Sequence, residues 1–353
     1  MSRAPRPSSA ARRVAGLLAL LAVNVGAAQT LTPTLRVVGT AAPWVDGATY
    51  RGRSPGAAAR DLYAGRADVA LVSSPLPPPP GGRRTLAVPV GVFAVRVAYR
   101  LPGVTLRLNV TTLCRLLDGT VRVWNAPEVQ ALQAPGVTLP ALPVLVSART
   151  DANGASFAVA QACVRAGAWP RARLKATWTG GAAFTPGSAE AQARNLDLPG
   201  ALAVRGPGAL PAGVGVARLR SPDGVDVPPT PALGFVGTPG ARSGLPRTPF
   251  GLLPSANAPG AYPLRGLLWA VTLADQAYGG RTEARARAVQ AWLGQLRAAD
   301  HAEFAGIPAP QRFPIRLTFG GRALTGPNVR ERSGLSQGTL SANSGDGRAG
   351  PED

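Results

Sequence analysis

Short apolar runs rich in β-branched residues alternate along this chain with segments of helical character, and Gly-rich loops stand where strand gives way to helix. Such an order predicts an α/β fold, with helices packed around mixed sheets. Thr34 to Val38 reads as a strand ending at Gly39, Pro55 to Tyr63 as a helix, and Asp68 to Val72 as a compact strand. The prolines at 77 to 80 form a loop, after which Thr85 to Tyr99 supplies two extended segments. Thr111 or Thr112 is expected to cap a helix running to about Leu117. Leu142 to Ser147 reads as a strand that feeds a loop and a helix from about Ser156 to Ala166. Gly, Pro and Ala dominate from there to about Gly260, with short strands expected at Ala201 to Val204 and Val214 to Leu219. Tyr262 to Thr272 is extended, Arg281 to Leu296 is a long amphipathic helix, and Phe313 to Phe319 is a last strand. The tail beyond Gly326 lacks an apolar pattern and is expected to be disordered.

The first residues place this fold outside the cytoplasm. Arg3, Arg6, Arg12 and Arg13 precede an apolar run from Val14 through Val25, and Gly26, Ala27 and Ala28 follow before Gln29. Charge, apolar core and small residues in that order predict a secretory signal peptide over 1–28. The run is shorter than the roughly 20 residues a spanning helix needs, and no Cys follows it to accept a lipid. What remains, roughly 325 residues, is enough for two domains. Lys and Arg number 38 against 18 Asp and Glu, a balance that attracts anions at long range. The same excess reads equally as an arginine-rich solvated surface.

Three loops carry candidate chemistry: Gly39 to Trp44, Gly52 to Gly56, and Arg149 to Phe157. Helix N-termini hold amide donors without intrahelical partners, and small residues there let an anion reach the backbone. Arg149 adds a planar fork suited to an oxyanion. Singly, each loop has a plainer reading, with Ser54 and Ser156 as caps, Asn153 as a turn residue and Arg149 as one surface arginine among many. His301 is the sole histidine, and no Ser/His/Asp set or metal cluster is apparent, so neither an enzyme nor a cofactor or metal is expected.

Taken together, the loops resemble a family. Gly39-Thr40-Ala41-Ala42-Pro43, the Gly52 to Gly56 loop, Arg66 to Leu76, Leu116 to Asn125 and, most clearly, Arg149-Thr150-Asp151-Ala152-Asn153-Gly154-Ala155-Ser156-Phe157 are similar in order and spacing to the phosphate-binding solute receptors of bacterial phosphate ABC importers. The resemblance implies a type II periplasmic-binding fold, two lobes around a ligand cleft. Its lobes would comprise residues 29–92 with 262–326, and residues 93–261, followed by a tail over 327–353. It implies a monomeric, secreted or periplasmic receptor that hands phosphate or a related oxyanion to a membrane permease. The alternative is an envelope protein that binds anionic polymer on a degenerate form of the fold.

By the same resemblance Thr40 and Arg149 touch the anion, Ala41, Gly154 and Ala155 offer backbone contacts, and Asp151 holds the arginine. Several positions depart from the family: Arg53 and Asn153 replace serines, Ala155 replaces a threonine, Ser54 is left as a nearby donor, and Ser73 stands where the family carries an aspartate. An amphipathic helix of the family is missing between Trp44 and Thr49. Cys114 and Cys163 lie on separate predicted helices that the family fold assigns to one lobe, and an oxidising compartment predicts one disulfide between them. Two small apolar core residues would be the plainer reading.

Overall fold

A computed structural model describes residues 34–40, 47–181, 188–232, 245–296, 303–307 and 314–324. The predicted signal peptide, Ala41 and the predicted tail lie outside the described residues. Two mixed sheets organise the remainder. The larger joins β1 (Leu35–Gly39), β2 (Ala48–Gly52), β3 (Val69–Val72), β4 (Thr85–Ala94), β12 (Arg265–Leu273) and β13 (Ala305–Gly306) in the order β13-β4-β12-β3-β1-β2. The smaller runs β7-β8-β5-β9, from β5 (Arg96–Tyr99), β7 (Leu145–Ser147), β8 (Ala201–Arg205) and β9 (Gly215–Val216). Beside it, β6 (Arg107–Leu108), β10 (Arg218–Arg220) and β11 (Asp226–Val227) form a third sheet, and β14 (Thr318–Phe319) pairs with β15 (Arg322–Ala323).

The central strands are those whose apolar runs are unbroken. All of β12 is buried, flanked by β4 on one side and β3 on the other. Pro89 in β4 has no N–H to give to the ladder, and the register shifts at its partner, between Leu268 and Trp269. At the other edge, β1 and β2 are parallel neighbours although only residues 40–47 connect them. Parallel strands ordinarily need a crossover of a dozen or more residues; here the connection is shorter, and β2 is a half-exposed edge strand.

Six helices are described: α1 (Pro55–Tyr63), α2 (Val110–Leu117), α3 (Pro127–Gln130), α4 (Gly154–Arg165), α5 (Ala189–Asn195) and α6 (Glu283–Gln295). Four expectations need correction. Asn109, not Thr111 or Thr112, caps α2, because its side chain accepts from Thr112 N at 2.8 Å and so draws both threonines inside the helix. α4 begins at Gly154 rather than Ser156, since Asn153 accepts from Ser156 N at 2.9 Å. Pro143 keeps the run before β7 out of the ladder except for a bridge to Val123, so the strand starts at Leu145. The expected last strand shortens to Thr318–Phe319, with Phe313 outside the described residues.

Cys114 of α2 and Cys163 of α4 are joined by a disulfide, with Cα atoms 5.7 Å apart and both residues buried. Asp68, at the foot of β3, is fully buried and is the hub of a second staple. It pairs with Arg281 and Arg285 at the start of α6, Arg285 by two bonds of 2.9 and 2.6 Å, and accepts from Arg36 N at 2.7 Å.

The chain leaves the larger sheet for the smaller one at Val95, between β4 and β5, and returns just ahead of β12. These passages lie side by side: Val95 N donates to Leu264 O at 2.9 Å, and the buried Tyr262 hydroxyl donates to Val95 O at 2.8 Å.

Candidate functional site

A cavity of about 340 Å³ opens between the two sheets. Its polar wall on the larger sheet begins at the end of β1. Gly39 has φ +145°, and a Cβ there would overlap Leu71 O, so glycine is required for β1 to lie this close to β3. Thr40 follows, its amide bonded to Leu71 O at 3.0 Å and its buried Oγ1 without a hydrogen-bond partner. A buried unpaired hydroxyl is uncommon and calls for an explanation; here it lines the cavity. Arg53 is held by its amide on Gly39 O at 2.7 Å and by its Nε on Asp61 at 3.2 Å. Burial raises the Asp61 carboxyl, but hydrogen bonds from Arg66 and Arg53 hold it below its ordinary value. Ser54 caps α1, with Pro55 at the first helical position.

From the smaller sheet comes the loop after β7. Arg149 makes a two-point ion pair with Asp151, Nε to Oδ1 at 2.7 Å, which fixes the plane of the guanidinium. Asn153 lines the cavity, but its carbonyl oxygen caps α4 and its amide donates to Asp151 O at 2.9 Å and Ser156 Oγ at 3.1 Å. Gly154 seats directly on Ser73, where a Cβ would overlap the serine side chain. Thus Thr40, Arg53, Ser54, Ser73, Arg149, Asn153, Gly154 and Ala155 line one cavity.

Sequence reasoning missed other wall residues, among them Phe93, Gln192, Arg205, Leu268 and Phe304. Arg205 ends β8 and donates to Ala189 O at 2.7 Å and Gln192 Oε1 at 3.4 Å. Burial pushes its guanidinium down from the ordinary value, and the charges of Arg96 and Arg149 push the same way against Glu190. An arginine closing a buried apolar strand is a signal that β8 did carry in the sequence. Phe93 and Phe304 meet edge-on with centroids 6.0 Å apart. Their meeting depends on the pairing of β4 with β13, which no local pattern announces.

Three guanidinium groups and the N-terminal ends of α1 and α4 therefore face one space. Among the described residues no carboxylate lines it. Asp61 and Asp151 stand behind Arg53 and Arg149 and are engaged with them. Such a wall has the charge, and donors already held in place, that suit a compact anion.

No protein-family model matches the chain. The phosphate-binding proteins PstS2 of Mycobacterium bovis and PstS 2 of Mycobacterium tuberculosis are each 31% identical over 117 residues, covering 30% of this chain and 31% of theirs. The chain thus matches about a third of the length of these curated relatives. Among solved structures, a phosphate-binding protein from Stenotrophomonas maltophilia superposes with a TM-score of 0.52 at 15% identity, covering 80% of this chain and 91% of that one. The high-affinity periplasmic phosphate-binding protein PfluDING, bound with phosphate, gives 0.55 at 15% identity, over 79% and 92%. The chain has their fold, the two-lobed type II periplasmic-binding architecture.

Proposed function

We propose that the chain is an extracytoplasmic receptor for phosphate or a related oxyanion, passed on to an ABC permease, and that it works as a monomer without catalysing a reaction. The observation that carries this reading is the convergence of Thr40, Arg53 and Arg149 on one cavity between two sheets. The PstS proteins and the solved phosphate receptors support it by their names and by the fold. In this reading residues 29–92 with 262–326 form one lobe and residues 93–261 the other. Arg149 and Thr40 grip the oxyanion, the α4 amides at Gly154 and Ala155 donate to it, and Asp151 holds Arg149 in plane.

The test is titration calorimetry of phosphate into stripped protein near pH 7. Arg149→Ala removes a two-point donor and leaves Asp151 unpaired. A loss of 2 to 5 kcal/mol is typical when one partner of a buried charge pair is truncated, so binding should weaken by about a hundredfold. An unchanged affinity would remove Arg149 from the site and with it the receptor reading.

Ser73 sets the expected selectivity. Hydrogen phosphate brings a proton that needs an acceptor, and a carboxylate at this point would take it while repelling a fully ionised competitor. A serine hydroxyl rotates to donate or accept and serves both. Phosphate should therefore be preferred over sulfate by less than about tenfold, within the roughly 1 to 3 kcal/mol that one misplaced polar partner costs. Rejection of sulfate by a thousandfold would show that another acceptor replaces the missing carboxylate.

The excess of arginine favours one other reading, an envelope protein that holds anionic polymer. It predicts retention on an anionic polymer that falls steeply with added salt, together with no calorimetric response to phosphate or sulfate.

A further inference from the structure

Part of the cavity wall is not suited to a bare oxyanion. Besides Thr40, Arg53 and Arg149, the cavity is lined by Phe93, Phe304 and Leu268. A volume of about 340 Å³ falls in the range of pockets for small organic molecules, well beyond what a single tetrahedral ion fills. Closure of the cleft does not account for the excess, since the walls already touch at two places. Gly154 rests on Ser73 at one. At the other, the Glu303 carboxylate beside β13 accepts from Gly208 N beyond β8 and lies 3.7 Å from Arg96.

The chemistry of the polar wall points the same way. Its fixed groups are donors, the nearby Asp61 and Asp151 are engaged by arginines, and the amide oxygens of Asn153 and Gln192 are taken by Ser156 N and Arg205. Among the side chains that line the cavity, a ligand hydroxyl would find only serine and threonine hydroxyls to accept its proton. Replacing that hydroxyl by carbon, or by an ester oxygen bearing carbon, keeps the tetrahedral anion and removes the proton that lacks a fixed acceptor. It also supplies a group for the apolar wall.

Building on the receptor reading, we propose that the preferred ligand is a tetrahedral dianion with one apolar substituent, an organic phosphonate or phosphate monoester. Its oxygens sit among Thr40, Arg53 and Arg149, and its substituent packs on Phe93, Phe304 and Leu268. Calorimetry on the stripped full chain near pH 8, where these ligands are dianions, would compare inorganic phosphate, methylphosphonate, phenylphosphonate and phenyl phosphate. Affinity should rise from phosphate to the phenyl compounds by about tenfold or more, the scale of burying much of one aromatic ring. Phe304→Ala, if its thermal transition remains cooperative, should collapse the phenylphosphonate-to-phosphate ratio towards one. The ligand series on the unaltered protein decides the matter without that variant. Phosphate binding as tightly as the phenyl compounds, or more so, would overturn this inference and leave the receptor reading intact. Silence with all four would overturn the receptor reading, and this inference with it.

Discussion

Asp68→Asn should lower the stability of the folded chain by about 3 to 5 kcal/mol, the usual cost of removing one partner from a buried ion pair. The asparagine keeps the shape but not the charge that Arg281, itself 3% exposed at its side chain, is buried against. Three structural elements lose their common anchor at once: β1 through Arg36 N, β3 through Asp68 itself, and the start of α6 through Arg281 and Arg285. Urea unfolding near neutral pH would measure the loss, and a change below 1 kcal/mol would show that the cluster is not the hub described. The pH dependence has a fixed sign. Burial by itself would raise the Asp68 carboxyl, but the hydrogen bonds from Arg285 and Arg36 N and the charges of Arg281 and Arg285 leave it below its ordinary 3.8. A lowered native value means that the unfolded chain binds the proton first. The contribution is complete above pH 3.8 and is lost as pH falls further, through the native value. The gap between the unaltered chain and Asp68→Asn should accordingly narrow in acid and stay level from pH 5 to 7.

Loss of the disulfide should be of comparable size. Cys114 and Cys163 close a loop with a sequence separation of 49, for which the chain-entropy relation gives about 4 kcal/mol. The doubly substituted Cys114→Ala, Cys163→Ala chain should unfold at lower urea by that amount, and adding reductant to the unaltered chain should have the same effect. An equal midpoint in both chains would mean that packing of α2 on α4, with Trp169 Nε1 donating to Cys114 O at 3.3 Å, already holds the two helices. Thiol titration of the unfolded, unreduced chain checks the bond itself, which should yield no free thiol.

The parts of this molecule that could be read from sequence are those set within a few residues. Gly39, Pro55 and Gly154 announce strand ends and helix starts because glycine and proline restrict the backbone locally. The cavity lining from Thr40 to Ala155 was reachable for the same reason, since each contributor sits at such a junction. Local competition among caps was harder. Asn109 and Thr112 both have cap chemistry, and it is Asn109 that accepts from Thr112 N and lies outside the helix, with Leu113, Leu116 and Leu117 buried on its inner face. Arg205 closes a buried apolar strand and could have been singled out, whereas Gln192 and Phe304 escaped because their partners lie far along the chain. Gln192 reaches Ser147 O at 2.8 Å from α5, and Phe304 reaches Phe93 from the far edge of the sheet. The strand expected over Val214 to Leu219 is present as two short pieces, β9 and β10, whereas β11, with two residues, is too short to show a period.

Val95 is tied by its amide to one neighbour in the returning segment and by its carbonyl to another, both within Tyr262 to Leu264. Two tethers fastened to each other swing as one pin. Were the two sheets to move relative to one another, rotation about a single line would be favoured, because sliding and twisting would first have to break these bonds. A fault introduced at that pin would be felt as a wandering mouth rather than a weaker grip. Tyr262→Phe removes one fastening without touching any wall of the cavity, and so separates the precision of closing from the chemistry of holding.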